Sequence, residues 1–350
     1  MSKESILAHR LRRHGLLSPA GGEGEYRELV RRLQPVTPVA RDMPGAPPRL
    51  MHRCRGDDRE LADRLRARQE LLKGRFSGGR IAYVLAADFE LYAAAFRRPV
   101  KALTSLQQRV LEVLGYHDGL SPRQLRLEMG IQHKQLMPVL HRLQEAFRVF
   151  EDQSDGGWDR LWYRLDSALP EVDLDRLSWE EAAMAVIRRF LQGHVFATFQ
   201  ELKSWSGFTA RGLAAVMARL EEEGVILVQV EGMGEGWTCV EDRDLEPAAV
   251  DPGVFLLHRA DPLVLPHTAE LKERFEGLEV LAYLLIDGEL TGAVCGHWRI
   301  GPHDVEDIVV TLPEGECMRR KDEIVKEVAR FYHPPGHHIR RYAGKALERE

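Results

Sequence analysis

Cysteine is scarce in this chain. There are 4, at Cys54, Cys239, Cys295 and Cys317, with no CxxC pair among them. That spacing excludes a disulfide framework or a zinc ribbon and points to a reduced, cytoplasmic setting. No run of apolar residues approaches the roughly 20 needed to cross a bilayer, so no membrane partner is expected. The stretch Met1 to Arg13 is polar and basic without an apolar core, so no secretory signal is expected. No Walker or dinucleotide-binding glycine motif occurs, and no Ser/His/Asp or Cys/His order that fits a catalytic triad. No cofactor is therefore expected. His333, His337 and His338 near the C-terminal end, and Cys295 with His297, lack the spacing and carboxylate partners of a metal site, so no metal is assigned.

What is present is an ordinary globular composition with an uneven charge. The net charge is −5, which alone argues against a nucleic-acid partner. Residues 1–100, however, hold 20 Lys+Arg against 12 Asp+Glu. Residues 101–166 are near neutral, and the rest carries the acidic excess. A basic N-terminal part can attract phosphate while an acidic C-terminal part keeps the molecule dispersed. An Arg-rich solvated helix surface would give the same asymmetry.

Residues 1–20 read as a helix ended by Gly15, and Tyr26 to Leu33 as a second with Leu29, Val30 and Leu33 inward. Prolines at 35, 38, 44, 47 and 48 rule out continuous helix across that segment. Asp58 to Lys73 reads as one helix with Leu61, Leu65 and Leu72 on one side. Ser77 to Gly79 is a turn, Arg80 to Leu85 a strand, and Asp88 opens a short helix.

The most informative stretch is 104–166. Thr104 and Ser121 sit at helix N-caps, the second followed by Pro122 at the first helical position. Gly130 ends that helix, and a third runs from about Gln132 to Glu145 through Pro138. Two short strands around the polar 153–157 segment complete three helices and a β-hairpin, the winged-helix order. The pattern returns 77 residues later: Ser121 matches Thr198, Leu125 Leu202, Gly130 Gly207, Leu136 Leu213, Val139 Val216, Leu143 Leu220 and Val149 Ile226. A matched offset across caps, core positions and a breaking glycine marks a repeat. Beyond residue 254, apolar runs at 254–257, 279–286, 291–300 and 305–312, an Asp287-Gly288 hairpin turn and a helix at 319–332 predict a small β-rich domain.

The expected fold class is therefore α+β: tandem winged-helix domains followed by a β-rich C-terminal domain. The expected boundaries are 1–100 for a degenerate N-terminal winged-helix-like domain, 101–170 and 171–243 for two winged helices, and 244–350 for the β-rich part. The expected partner is double-stranded DNA, damaged or intact, bound by a monomer.

Several segments, in order, resemble the bacterial winged-helix DNA glycosylases of the AlkZ/YcaQ type. They are Val84 to Tyr92, the paired winged helices, Phe199 to Gly207, Ala260 to Leu265 and Ile286 to Gly292. The resemblance implies three tandem winged helices, a β-rich C-terminal domain and action on alkylated or crosslinked DNA. It also implies a catalytic Gln-apolar-Gln or Gln-apolar-Asp motif in the loop after the Leu29–Leu33 helix. That motif falls on Thr37 and Val39 here, with Gln34 three residues earlier. The family's Arg-Gly-Thr-apolar-His stretch falls on Gly78 to Ala82, without its histidine.

Hydrolysis of an N-glycosidic bond needs a polar group to hold water and stabilise an oxocarbenium-like transition state. Thr37 can hydrogen-bond water but is a poor base, and Val39 can do neither. Asp42, Asp57 and Asp58 are the nearest carboxylates and read as solvated or capping groups. Thr37 and Gln34 are the catalytic candidates. For DNA contacts the candidates are Gln132, His133 and Lys134, and Thr209 and Arg211, at the starts of the two third helices, with Arg49, His52, Arg53, Arg75 and Arg80 as phosphate contacts. The reading leaves three alternatives: a DNA-damage binder without glycosylase activity, a glycosylase working through displaced groups, or a protein–protein scaffold that never meets DNA.

Overall fold

A computed structural model describes residues 1–38, 48–152, 160–229, 233–297, 304–332 and 337–347. Val39 and Asp42 of the candidate motif region, and His333, lie outside them. The chain begins with helices α1 (Lys3–Arg13), α2 (Glu23–Leu33) and α3 (Arg59–Ala67), then hairpin β1 (Leu71–Phe76) and β2 (Arg80–Leu85). Helix α4 (Phe89–Phe96) connects to a second group: α5 (Ser105–Gly115), α6 (Pro122–Met129), α7 (His133–Glu145), β3 (Val149–Glu151) and β4 (Trp162–Arg164). After the single turn α8 (Leu165–Ala168) comes a third: α9 (Trp179–His194), α10 (Phe199–Ser206), α11 (Ala210–Glu222), β5 (Ile226–Gln229) and β6 (Gly236–Cys239).

The long helix expected over 58–73 is corrected. It ends at Ala67, Gln69 takes a φ of +55°, and Leu71 to Phe76 pairs with β2 in register. Leu65 and Leu72 are seven apart, which fits one helical face, but the unbroken burial of Leu71, Leu72 and Lys73 is that of a strand covered on both sides.

The second and third groups begin their middle helices alike. Ser121 and Thr198 each accept from the backbone N–H three residues on, and Gln124 and Glu201 accept in return. These reciprocal capping boxes satisfy two orphan donors per helix. Gly130 and Gly207 end those helices in the left-handed region, with φ of 63° and 69°. Leu125 and Leu202, Leu136 and Leu213, and Leu143 and Leu220 are all buried. In all three groups a residue just beyond a helix bridges the second hairpin strand: Val36 to Tyr83, Leu120 to Trp162, Ala197 to Trp237.

Their cores differ. The second group packs Val110, Leu114, Leu125, Leu136, Leu140, Leu143 and Trp162 into a cluster of its own. The third group's Val186, Ile187, Phe190, Leu202, Trp205, Leu213 and Leu220 join one cluster with Phe76, Phe89, Tyr92 and Phe96 from the N-terminal part. At this seam the β1–β2 turn meets the end of α10. A Cβ on Gly207 would stand 2.8 Å from the Cα of Gly78.

The C-terminal part is a six-stranded sheet of order β12-β11-β10-β9-β8-β7. Its strands are β7 (Val254–His258), β8 (Val280–Ile286), β9 (Glu289–Cys295), β10 (Asp307–Val310), β11 (Arg341–Tyr342) and β12 (Lys345–Ala346). Strand β8 is buried along its whole length because both faces are covered. Ala282, Leu284 and Ile286 face Ile324 and Val328 of α14 (Lys321–Ala329), which follows the short α13 (Glu314–Arg319). Tyr283 and Leu285 face Leu11 of α1 and Leu271 of α12 (Thr268–Arg274). Period-2 alternation sorts one continuous apolar run between two layers. At the β8–β9 turn Asp287 and Gly288 both have positive φ, as a type I′ hairpin requires. Helix α12 and the break between α13 and α14 do not stand out in the sequence.

Candidate nucleic-acid interface

Helix α2 ends at Gln34, whose side chain turns inward and is 3% exposed. Its Oε1 accepts from the backbone N–H of Leu85 at 2.9 Å, and its Nε2 donates to Asp88 Oδ2 at 2.7 Å. The other oxygen, Oδ1, accepts from Nη1 of Arg189 on α9 at 2.7 Å. Arg31 lies 3.9 Å from Oδ2. The ring of Tyr92 lies 6.0 Å from the Arg189 guanidinium, and burial holds its phenol well above the usual value. This node fastens α2, the β2–α4 joint and α9 together. Asp88 is buried but fully hydrogen-bonded, the condition for a carboxylate to stay inside without a large penalty.

Thr37 lies half-buried between the bridges Val36–Tyr83 and Pro38–Pro48. Ala82, at the position where the resembling family has histidine, is a buried methyl group on β2. Asp57 Oδ1 accepts from the Arg59 N–H, and Asp58 Oδ2 accepts from the Leu50 N–H. Both carboxylates serve the local backbone.

Above the node lies a basin of about 620 Å³ where the last turns of α1 and α2 meet α9 and the end of β6. Arg12 and Arg13 come from α1, Arg31 and Arg32 from α2, and Arg189 and Gln192 from α9. Glu28, Glu241 and Asp242 supply the acidic groups. Arg13 forks onto Asp242 at 2.7 and 2.6 Å and donates to the Gln192 carbonyl. Arg31 pairs with Glu28. Arg32 donates to the Arg13 carbonyl at 2.9 Å, and Gln192 donates to Glu241 at 2.8 Å. Five guanidinium groups thus face three carboxylates around one opening. The sequence signal was the pair of double arginines, Arg12-Arg13 and Arg31-Arg32, each ending an apolar stripe. Cations in a last helical turn offset the negative end of the macrodipole.

The five expected phosphate contacts after the proline segment do not form one exposed surface. Arg53 is fully buried, forks onto Asp261 at 2.7 and 2.9 Å, and donates to the carbonyls of His14 and Met51. The His52 ring sits edge-on to Phe255 and Phe331 and bonds the Leu256 carbonyl; burial lowers its pKa. Arg75 donates to Gln144 and the Gly79 carbonyl. Arg80 donates to the last carbonyls of α10, at Ser204 and Trp205. Arg49 lies 3.8 Å from Asp57 and 3.7 Å from Asp58. Arg49 meets the local carboxylates Asp57 and Asp58, but the partners of Arg53, Arg75 and Arg80 include residues as distant as Asp261, Gln144 and Trp205, of which local sequence gave no sign.

Gln132, His133 and Lys134 are all exposed at the start of α7, and Thr209 and Arg211 at the start of α11. Cys295 is buried, and His297 pairs with Glu279 and Glu306 on the surface. Among the described residues no cluster of three or more His, Cys, Asp or Glu could hold a metal ion. No helix among them is long and apolar enough to cross a membrane.

Repeated helix groups ending in hairpins and a six-stranded C-terminal sheet make this a mixed α/β protein, with an arginine-lined opening where α1, α2 and α9 meet. The sequence profile of the family described as "DNA glycosylase AlkZ-like" matches residues 44–332, and the chain belongs to that family. Its fold is similar to the solved structure of the Streptomyces sahachiroi DNA glycosylase AlkZ, with a TM-score of 0.68 and 15% identity over 94% of this chain and 95% of that one. No curated protein matches the chain.

Proposed function

We propose that this chain is a monomeric, cytoplasmic protein that binds duplex DNA through tandem winged helices and acts in recognition or repair of alkylated or crosslinked DNA, without standard glycosylase activity. The observation that carries the reading is the start of α7. Gln132, His133 and Lys134 stand exposed at the N-terminus of the helix that would enter the groove, in a helix group with a core of its own. Membership of a DNA glycosylase family supplies the substrate class. The motif region supports the absence of standard activity. Both ends of the Gln34 amide are spent on Leu85 and Asp88, and Thr37 offers only a hydroxyl.

A second reading rests on the same node. Gln34 and Asp88 put an amide and a carboxylate beside the motif, and base excision through Gln34 or Thr37 would use that pair.

Duplex binding measured over a salt series tests the first reading. The expected result is a linear fall of log K with log salt, and Lys134→Ala should reduce the slope by about 0.9, one phosphate contact. No binding at low salt would overturn it in favour of a protein-binding scaffold. Release of a methylated purine from damaged duplex, lost in Gln34→Ala or Thr37→Ala, would establish the second reading instead.

A further inference from the structure

We infer that the arginine basin at the junction of α1, α2 and α9 is a phosphate-binding site that holds one phosphodiester group of a nucleic-acid backbone. The inference rests on the DNA reading for the source of that phosphate. Three of the five basin arginines are already matched: Arg13 by Asp242, Arg31 by Glu28 and Arg189 by Asp88. Glu241 is in turn bound by Gln192 and Arg188. Arg12 and Arg32 have no carboxylate partner among the described residues, so two positive charges remain at the opening.

Helix-end capping explains only part of this. Arg32 does cap α1 through the Arg13 carbonyl. That bond uses one guanidinium nitrogen and fixes the rest of the fork over the cavity. Arg12 caps nothing and is exposed. The matched pairs serve as walls: Arg13 forks onto Asp242 and Arg31 pairs with Glu28, so both already have acidic partners at the rim. A guanidinium presents paired N–H donors that fit phosphate oxygens, and pre-fixed donors lose little entropy on binding. The node below gives the site its consequence. Arg31 and Arg189 line the basin and also reach Asp88, so a phosphate held there is linked to Gln34 through two side chains, an arginine and Asp88.

The test pairs two probes. In duplex binding over a salt series, the Arg12→Ala, Arg32→Ala double variant should lose about 1.8 in slope, two contacts at about 0.9 each. The single Arg12→Ala should lose about half of that, and it removes no bond that the fold uses. In the second probe, inorganic phosphate should raise the unfolding midpoint of the unaltered protein above that in chloride of equal ionic strength. The double variant should lose that rise. A control double, Arg176→Ala with Arg319→Ala, changes the same charge at exposed sites and should keep it. An unchanged slope in both basin variants overturns the inference. If the unaltered protein binds no duplex, the DNA reading falls by itself. The basin then stands only if phosphate stabilises the unaltered protein and not the double variant.

Discussion

The second and third helix groups share caps, breaking glycines and core positions, yet they are built into the molecule differently. The second closes a core around Leu136 and Leu140, and only its edge at Phe147, Phe150 and Leu165 joins the cluster shared by the rest. The third shares its core with α4 and the β1–β2 hairpin, and its α10 carbonyls are occupied by Arg80 and Ser77. The starts of their third helices diverge in step. Gln132 to Gln135 stand in solvent, while Thr209 and Gly212 lie beside Trp179 and Phe208, a paired aromatic shelf. Matched caps and core positions thus give one helix start standing wholly in solvent and one with an aromatic pair beside it, although Thr209 and Arg211 are exposed there too. What differs is what each is packed against.

The largest effect that separates them is core truncation. Leu136→Ala and Leu213→Ala each remove a fully buried side chain and should cost about 2–5 kcal/mol. The Leu136 variant should loosen α5–α7 alone, and Leu213→Ala should lower the cooperative unfolding of the N-terminal part as well. Hydrogen exchange resolved by segment distinguishes the two; identical exchange patterns would remove the contrast.

Acid gives the next largest difference. His14 on the end of α1 and His194 on the end of α9 pack edge to face, 4.5 Å between ring centres, and both are buried. Burial, with nearby cations, pulls His194 down to about 3 and His14 well below its usual value. The unfolded chain therefore binds these protons more readily than the folded one. Their contribution is complete above about pH 6.5 and is lost as pH falls, at up to about 1.4 kcal/mol per pH unit for each histidine. Urea midpoints between pH 7.5 and 5.5 should fall, and the fall should shrink in His194→Gln. Exchange at pH 5.5 should open α1 and α9 before α5–α7. A pH-independent midpoint would contradict this account.

The smallest effect tests the symmetry itself. Ser121→Ala and Thr198→Ala each break one capping box and should each cost about 1 kcal/mol, read from the urea midpoint. Strongly unequal costs would mean that the shared caps do not carry equal weight in the two settings.

This contrast also marks what the sequence could tell. The repeat was legible because caps and breaking glycines act within four residues of themselves. The arginine basin was not, because its walls come from helices about 180 residues apart, and only the double arginines hinted at it. Arg53 read as surface because its own neighbourhood is basic, and its partner Asp261 lies 208 residues on. The motif region was partly legible. Gln34 could be named, but its bond to Asp88 depends on a 54-residue return of the chain.

Helix α1 carries a consequence for how the chain is made. Arg10 bonds the carbonyls of His194 and Phe196, Leu11 packs on Leu257 and Tyr283, and Lys3 pairs with Glu289. Helix α1 therefore has its binding sites in segments synthesised about 180 to 290 residues later, a wait on the order of tens of seconds at ordinary translation rates. The second helix group, with a core complete by Trp162, can close long before that. During synthesis the apolar stripe of α1 is exposed to solvent or to a chaperone, and arrest before residue 195 would leave it there.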